Sequence, residues 1–367
     1  MNLLKKIHAK VKQNKYITFD DYMDICLYYP DYGYYNNKNI SLDPTNSDFI
    51  TGPELSSLYT DSLIDFYIKY KKFHTVENVI EIGAGSGAMA YNFLYNMPKK
   101  DIPKKYYILE RSKYLKKQQK EKLSKLPKEY FEIIEWIDEI KYIENVFLVA
   151  NEVLDALPAK IFIKENNFFY EKVIKLKNNK LYFSKINCND FLLDKIYRIE
   201  KRIKSKIPNN YIFELNILYE NFLTEIFNNI KNFMFIIIDY GYGEKEFYHP
   251  DRINGTIQFY KNHKKVSNCL IDQGNFDISI SVDFSRVKRI CKSKDVQLLS
   301  YTTQTEFLLN TNILENSKKI LDSYNKSNIL KTLLFPSDMG ENFKIMLLCD
   351  DINKNFNFPF KDYRHKL

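Results

Sequence analysis

At 79–88 the chain reads VIEIGAGSGA, an apolar run that ends in glycines at every second position, Gly83, Gly85 and Gly87. That spacing lets the backbone turn sharply and approach a ligand without Cβ contacts. The helix start beyond it offers unpaired N–H groups to an anion. The string also satisfies the GxGxxA form of the dinucleotide fingerprint, so the loop alone leaves the cofactor class open. Glu81 separates the readings, because a carboxylate in an otherwise apolar central strand is costly unless a cation or donors satisfy it. A nicotinamide cofactor brings no cation there, whereas the ammonium group of S-adenosylmethionine does; a structural lysine is the plainer partner. Glu110 follows the run YYIL at 106–109 and can accept hydrogen bonds from both ribose hydroxyls in either cofactor class. One strand later, EWID at 135–138 supplies Trp136 and Asp138 to meet an adenine and its amino group, with a core position as the alternative for the tryptophan.

A second chemical group stands at 151–158, NEVLDALP, where Asn151, Glu152 and Asp155 fall at the carboxyl end of a fourth strand. Ligands of open α/β sheets bind at that edge. Methyl transfer from a sulfonium needs a desolvated nucleophile held in line, with little covalent help from the protein. Paired carboxylates suit a guanidinium nucleophile, which they clamp bidentately while offsetting its charge. For Asp155 alone, capping the following turn is the alternative.

Strands must carry these loops, and the texture from residue 76 supplies them. Strands are expected at 79–82, 106–109, 131–134 and 146–150, with helices at 88–96 and 112–125, which implies a parallel, doubly wound α/β sheet. Before this lie a helix in which Leu4, Ile7 and Val11 share one face, a helix opening on Thr18 and Asp21 as a capping box, a glycine turn at 32–35 and a helix at 55–72. The rhythm breaks at 156–232, with a hairpin at 160–175 and helices at 190–205 and 214–231. Core strands return at 233–238 and 343–348. The expected organisation is an N-terminal helical cap or lid at 1–75, a core at 76–155 and 233–367, and an inserted α+β substrate subdomain at 156–232.

Composition limits the remaining classes. The 367 residues are 45% hydrophobic and 16% aromatic, which excludes a disordered or fibrous chain. The longest strictly apolar run, 233–238, is far below the ~20 residues a membrane span needs. The net charge of +9 lies entirely between Lys99 and Lys128, where twelve positive residues meet three acids. A local lysine-rich helix without an aromatic groove speaks against a nucleic-acid partner. Five scattered cysteines without metal-ligand spacing read as reduced core thiols, and no metal site is expected. The basic start lacks arginine, serine and a cleavage site, so a docked amphipathic helix and a cytoplasmic location are expected.

Several segments together resemble the MidA-like S-adenosylmethionine-dependent methyltransferases, whose mitochondrial members assist complex I assembly and methylate a protein arginine. They are ITFDDYM at 17–23, LYYPDYGYY at 27–35, DFITGPE at 48–54, the glycine loop, NEVLDALP at 151–158 and DYGY at 239–242. Gly255 and Thr256, His263, DISISVDF at 277–284 and MGENFK at 339–344 complete the series in order. The resemblance implies a class I (Rossmann-like) methyltransferase fold with an N-terminal segment over the cofactor, Thr51, Pro53 and Glu54 beside it, and Asp239, Tyr240 and His263 around the substrate. For His263 the candidate role is proton transfer, and a surface position beside Lys264 and Lys265 is the alternative. The implied partner is an arginine-bearing protein, a quinone-oxidoreductase subunit first. Gly52 stands where the family usually has serine and Ala84 where it often has proline. A nicotinamide-dependent oxidoreductase and a non-enzymatic assembly chaperone with a vestigial cofactor site are the competing readings.

Overall fold

Alternate residues of the central strands are buried on opposite faces, and helices cover both. The computed structural model describes residues 3–38, 51–261, 264–351, 356 and 360–367. Helices α1 (Leu3–Asn14) and α2 (Phe19–Tyr28) precede a single turn at Gly52–Leu55 and α3 (Ser57–Lys71). Strands and helices then alternate as β1 (Asn78–Ile82), α4 (Ala88–Asn96), β2 (Lys105–Leu109), α5 (Lys113–Leu123), β3 (Ile134–Ile137) and β4 (Ile143–Asn151). Next come β5 (Lys160–Glu165), β6 (Phe168–Lys177), β7 (Lys180–Asn187), α6 (Asp190–Ile203), β8 (Tyr211–Leu215) and α7 (Tyr219–Asn229). The chain continues through β9 (Ile230–Tyr242), β10 (Gln258–Lys261), β11 (Asp277–Ser279), α8 (Phe284–Ser293), β12 (Gln297–Thr303), α9 (Ser323–Leu334) and β13 (Phe343–Cys349).

The large sheet has the order β3-β2-β1-β4-β9-β13-β12. Strands β1, β2, β3, β4 and β9 pair in parallel, while β13 runs antiparallel to both β9 and β12. The chain winds outward from β1 to β3, then restarts at β4 on the other side of β1. The crevice above that reversal is where an open α/β sheet takes its ligand. Val79, Phe147 and Val149 face α3 and α4, where Leu63, Tyr67, Phe93 and Leu94 close one core. Ile80, Ile82, Val146 and Leu148 face α7 and α8, with Leu223, Ile226, Val287 and Ile290. This period-two alternation puts Glu81 on the α3/α4 face.

A second sheet is antiparallel, with β6 between β5 and β7, β8 on β5, and Ile17–Thr18 paired to β6. The N-terminal helices share its core, since Ile7, Phe19 and Met23 pack with Ile161, Ile174 and Ile278. Lys160 ties them electrostatically, reaching Asp20 at 3.1 Å and Glu171 at 2.8 Å. Among the described residues no helix is long and apolar enough to cross a membrane.

Several local expectations are corrected. Pro127 opens a helical turn at Lys128–Phe131, which moves the strand expected at 131–134 to β3, where Glu135 and Trp136 alternate. The helix expected at 214–231 gives way to β8 and begins later at α7, with Asn216 accepting from the Leu218 N–H at 2.9 Å in the turn between. Leu3, not Leu4, joins Ile7 and Val11 in the core, and the Thr18 side chain makes no capping bond. Strand β12 was not anticipated, and the antiparallel β13 departs from an all-parallel sheet.

Leu148 is fully buried at the centre of β4. Leu148→Ala is expected to lower stability by about 2–5 kcal/mol, seen as a lower urea midpoint at unchanged slope. An unchanged midpoint contradicts this packing.

Candidate functional site: an acidic cavity at the sheet's reversal point

A cavity of about 860 Å³ opens at the carboxyl ends of β1, β4 and β9, with Tyr28 and Tyr35 of the N-terminal segment among its walls. The glycine loop forms one end. Gly83, Gly85 and Gly87 have φ of +67°, +53° and +83°, the left-handed region that glycine enters without strain. Gly87 caps α4 rather than lining the cavity, while Gly83 and Gly85 line it. Beneath them Glu81 is 1% exposed and accepts from the Tyr106 hydroxyl at 2.7 Å. Burial, with added repulsion from Glu110 and Glu54, pushes its carboxyl up to about 7 even though Tyr106 favours the charged form. The partner of Glu81 is thus a tyrosine from the next strand, where a structural lysine was the alternative.

Glu110 lies at the tip of β2, its oxygens accepting from the Ser112 N–H at 2.8 Å and Gln119 Nε2 at 2.9 Å. Burial raises its pKa. Gln119 escaped the sequence reading. Its amide also donates to the Gly85 carbonyl at 2.9 Å and accepts from Trp136 Nε1 at 3.1 Å, so one side chain joins loop, acid and tryptophan. Its signal was a polar residue on the buried stripe of α5, between Leu115 and Leu123. Trp136 lies behind this bond and under Lys120, while Asp138 sits at the rim, mostly exposed and ion-paired with Lys116. Thr51 and Pro53 line the cavity from the turn at Gly52–Leu55. Glu54 in that turn accepts from the Ser86 hydroxyl, and Lys122 donates to the same hydroxyl at 2.7 Å.

The other end holds Asn151, Glu152 and Asp155. Asn151 donates to Glu152 at 3.1 Å and accepts from the Tyr59 hydroxyl at 2.7 Å. Burial and the charges of Asp155 and Asp277 raise Glu152 to about 8. Burial and Asp277 raise Asp155 to about 7. Asp155 Oδ1 and the Tyr240 hydroxyl are buried, and among the described residues neither has a partner in hydrogen-bonding geometry, although the hydroxyl lies near enough to Asp155 to favour its charged form. Asp239, placed beside the substrate by the resemblance, instead shapes the loop: it accepts from the N–H groups of Leu154 at 3.0 Å, Asp155 at 3.2 Å and Tyr240 at 2.9 Å. Asp277 was quoted only as part of a motif, yet it faces these acids and accepts from the Tyr35 hydroxyl at 3.0 Å. His263 lies outside the described residues.

Among the described residues, ten carboxylates line the cavity against one cation, Arg111. The glycine cradle, a buried acid under it and a second acid at the β2 tip fit S-adenosylmethionine, whose ammonium and ribose hydroxyls have matching partners in Glu81 and Glu110. Two outcomes follow. Gly85→Val is expected to abolish binding of S-adenosylhomocysteine in calorimetry, since a branched Cβ enters the cradle at a left-handed position; unchanged affinity contradicts this placement. Wild-type affinity is expected to fall as pH drops through about 7, because protonation removes the Glu81 charge opposite the ammonium, by up to about tenfold per pH unit. Glu81→Gln should bind weakly with a flat profile, and a flat wild-type profile refutes the pairing.

Comparison with known proteins agrees with the geometry. Residues 64–302 match the family described as "Putative S-adenosyl-L-methionine-dependent methyltransferase". The chain is 24% identical over 385 residues to the mitochondrial protein arginine methyltransferase NDUFAF7 of Homo sapiens, covering 94% of this chain and 83% of that protein. Its Drosophila melanogaster homolog is 22% identical over 391 residues, covering 95% and 84%. A Burkholderia thailandensis protein crystallised with S-adenosyl-homocysteine superposes with a TM-score of 0.90 at 25% identity, covering all of this chain and 96% of that one. These matches set aside the nicotinamide reading, and the sheet, the cradle and the family match have one conclusion: the chain belongs to the family of S-adenosyl-L-methionine-dependent methyltransferases.

Proposed function

We propose that this methyltransferase acts on an arginine side chain of a protein partner. The observation that carries the reading is the group of Glu152, Asp155 and Asp277 at the far end of the cavity, with Asp155 Oδ1 and the Tyr240 hydroxyl buried and, among the described residues, without a partner in hydrogen-bonding geometry. Such a site repels anions and leaves acceptors for a flat cation with several N–H donors. The names of the NDUFAF7 relatives support arginine as the target. A quinone-oxidoreductase subunit stays the first candidate partner on the strength of the sequence resemblance.

The cofactor supplies a sulfonium-bound methyl group to a nucleophile held in line. Glu152 and Asp155 clamp the guanidinium, fix its plane and offset its charge. The raised basicity of Glu152 equips it to take the proton that the substituted nitrogen releases. Tyr28 and Tyr35 exclude water above the reacting groups: Tyr28 donates to the Ala156 carbonyl at 3.0 Å with Arg111 over its ring at 4.3 Å.

Mass spectrometry of candidate partners incubated with cofactor and enzyme tests the proposal. Added methyl mass on arginine is expected with the wild type. Glu152→Ala is expected to lower it by about 10²-fold or more while S-adenosylhomocysteine affinity holds within about threefold. Methyl mass on another residue type refutes the arginine reading. If Glu152→Ala supports the partner as well as the wild type does, the role is that of a chaperone.

A further inference from the structure

We infer that Tyr59 is the positioning residue for Glu152, and that Gly52 is the position that admits it. This rests on the reading of Glu152 as a cation-binding acid. Tyr59 lies on α3, 2% exposed, beneath the turn at Gly52–Leu55. A Cβ at residue 52 would stand 2.6 Å from two carbons of the Tyr59 ring, so any side chain there displaces the ring as it lies here. Gly52 and Tyr59 therefore form a matched pair in this chain.

The room left by Gly52 brings the Tyr59 hydroxyl 2.7 Å from Asn151 Oδ1. With its amide oxygen engaged, Asn151 must turn its NH₂ the other way, and that group donates to Glu152 Oε1 at 3.1 Å. The Glu152 backbone is held as well, at φ +54° with its N–H on the Ile238 carbonyl at 2.8 Å. One carboxylate oxygen is thereby fixed and the other is left for a ligand. The charged groups facing Glu152 are anionic: Asp155 on its own loop, Asp277 from β11 and Asp239 from β9, with the Tyr59 phenol from α3. Against them the Asn151 amide is the group that favours the ionised form. Tyr59 sets that amide's direction. Since Tyr59 also packs under the turn that carries Thr51, Pro53 and Glu54, the segment beside the cofactor and the substrate-facing acid share one support.

The test uses the full chain without substrate, its glutamates labelled with ¹³C at the carboxyl and Glu152 assigned with Glu152→Gln. The wild-type Glu152 signal is expected to titrate near pH 8. Tyr59→Phe should move it upward by about 0.7 of a pH unit, the worth of one hydrogen bond. Gly52→Ser should give the same shift, and the double variant no more. S-adenosylhomocysteine affinity should stay within twofold in Tyr59→Phe, whose ring still packs under the turn, which reports an intact fold. N-acetyl-L-arginine amide should bind Tyr59→Phe about fivefold more weakly at pH 7 and about equally above pH 9.5. An unmoved Glu152 titration in Tyr59→Phe, or a shift accompanied by loss of S-adenosylhomocysteine binding, overturns the inference. Failure of the wild type to bind the arginine amide counts against the arginine reading, while the Tyr59 role is decided by the titration.

Discussion

Crowding of like charge in one cavity is the constraint on which the site depends. Buried carboxylates that face one another resist ionisation, because each raises the others in a medium of low dielectric. Glu81, Glu152 and Asp155 are all pushed toward neutrality or above it. Neutral donors hold them at hydrogen-bond distance: Tyr106 on Glu81, Asn151 on Glu152, Gln119 and the Ser112 N–H on Glu110. Such a cavity is prepared for cations, and its two ends suit two different ones. Glu81 lies under the glycine cradle, and the proposed substrate cation would meet Glu152 and Asp155 at the other end.

The sheet order explains why both ends lie together. Strands β1 and β4 are neighbours in space but separated in sequence by two further strands, so the glycine loop and the Asn151 turn emerge side by side. The N-terminal segment then spans them. Its Tyr28 touches Arg111 after the β2 tip and Ala156 after the β4 tip. Its Tyr35 reaches Asp277 through its hydroxyl, and its carbonyl accepts from the Ser112 hydroxyl at 2.6 Å. One short stretch of chain thus contacts both ends of the cavity.

What could be read from the sequence was local. The glycine loop, the isolated acid Glu81, the acid at the end of β2 and the acids after β4 all announce themselves by type and spacing, and α4 begins and ends where its pattern predicts. Residues that act through distant contacts were invisible. Tyr106 reads as an ordinary strand residue until β2 pairs with β1, and Tyr59 as one more apolar position of α3 until Asn151 arrives beside it. Strand β12 hid because its sequence, QLLSYTT, mixes buried serine and threonine with leucine and tyrosine, so neither period dominates. Asp239 shows the opposite error: a motif acid expected at the substrate turns out to accept backbone N–H groups and build the loop.

Acids held protonated by burial in the cavity ionise when a cation enters, and proton release reports this directly. Calorimetric titration of the full chain with S-adenosylhomocysteine at pH 6.5, in buffers of different ionisation enthalpy, counts the protons exchanged. Release of roughly one proton per cofactor bound, lost in Glu81→Gln, is the result the account predicts. A binding enthalpy independent of the buffer would contradict it.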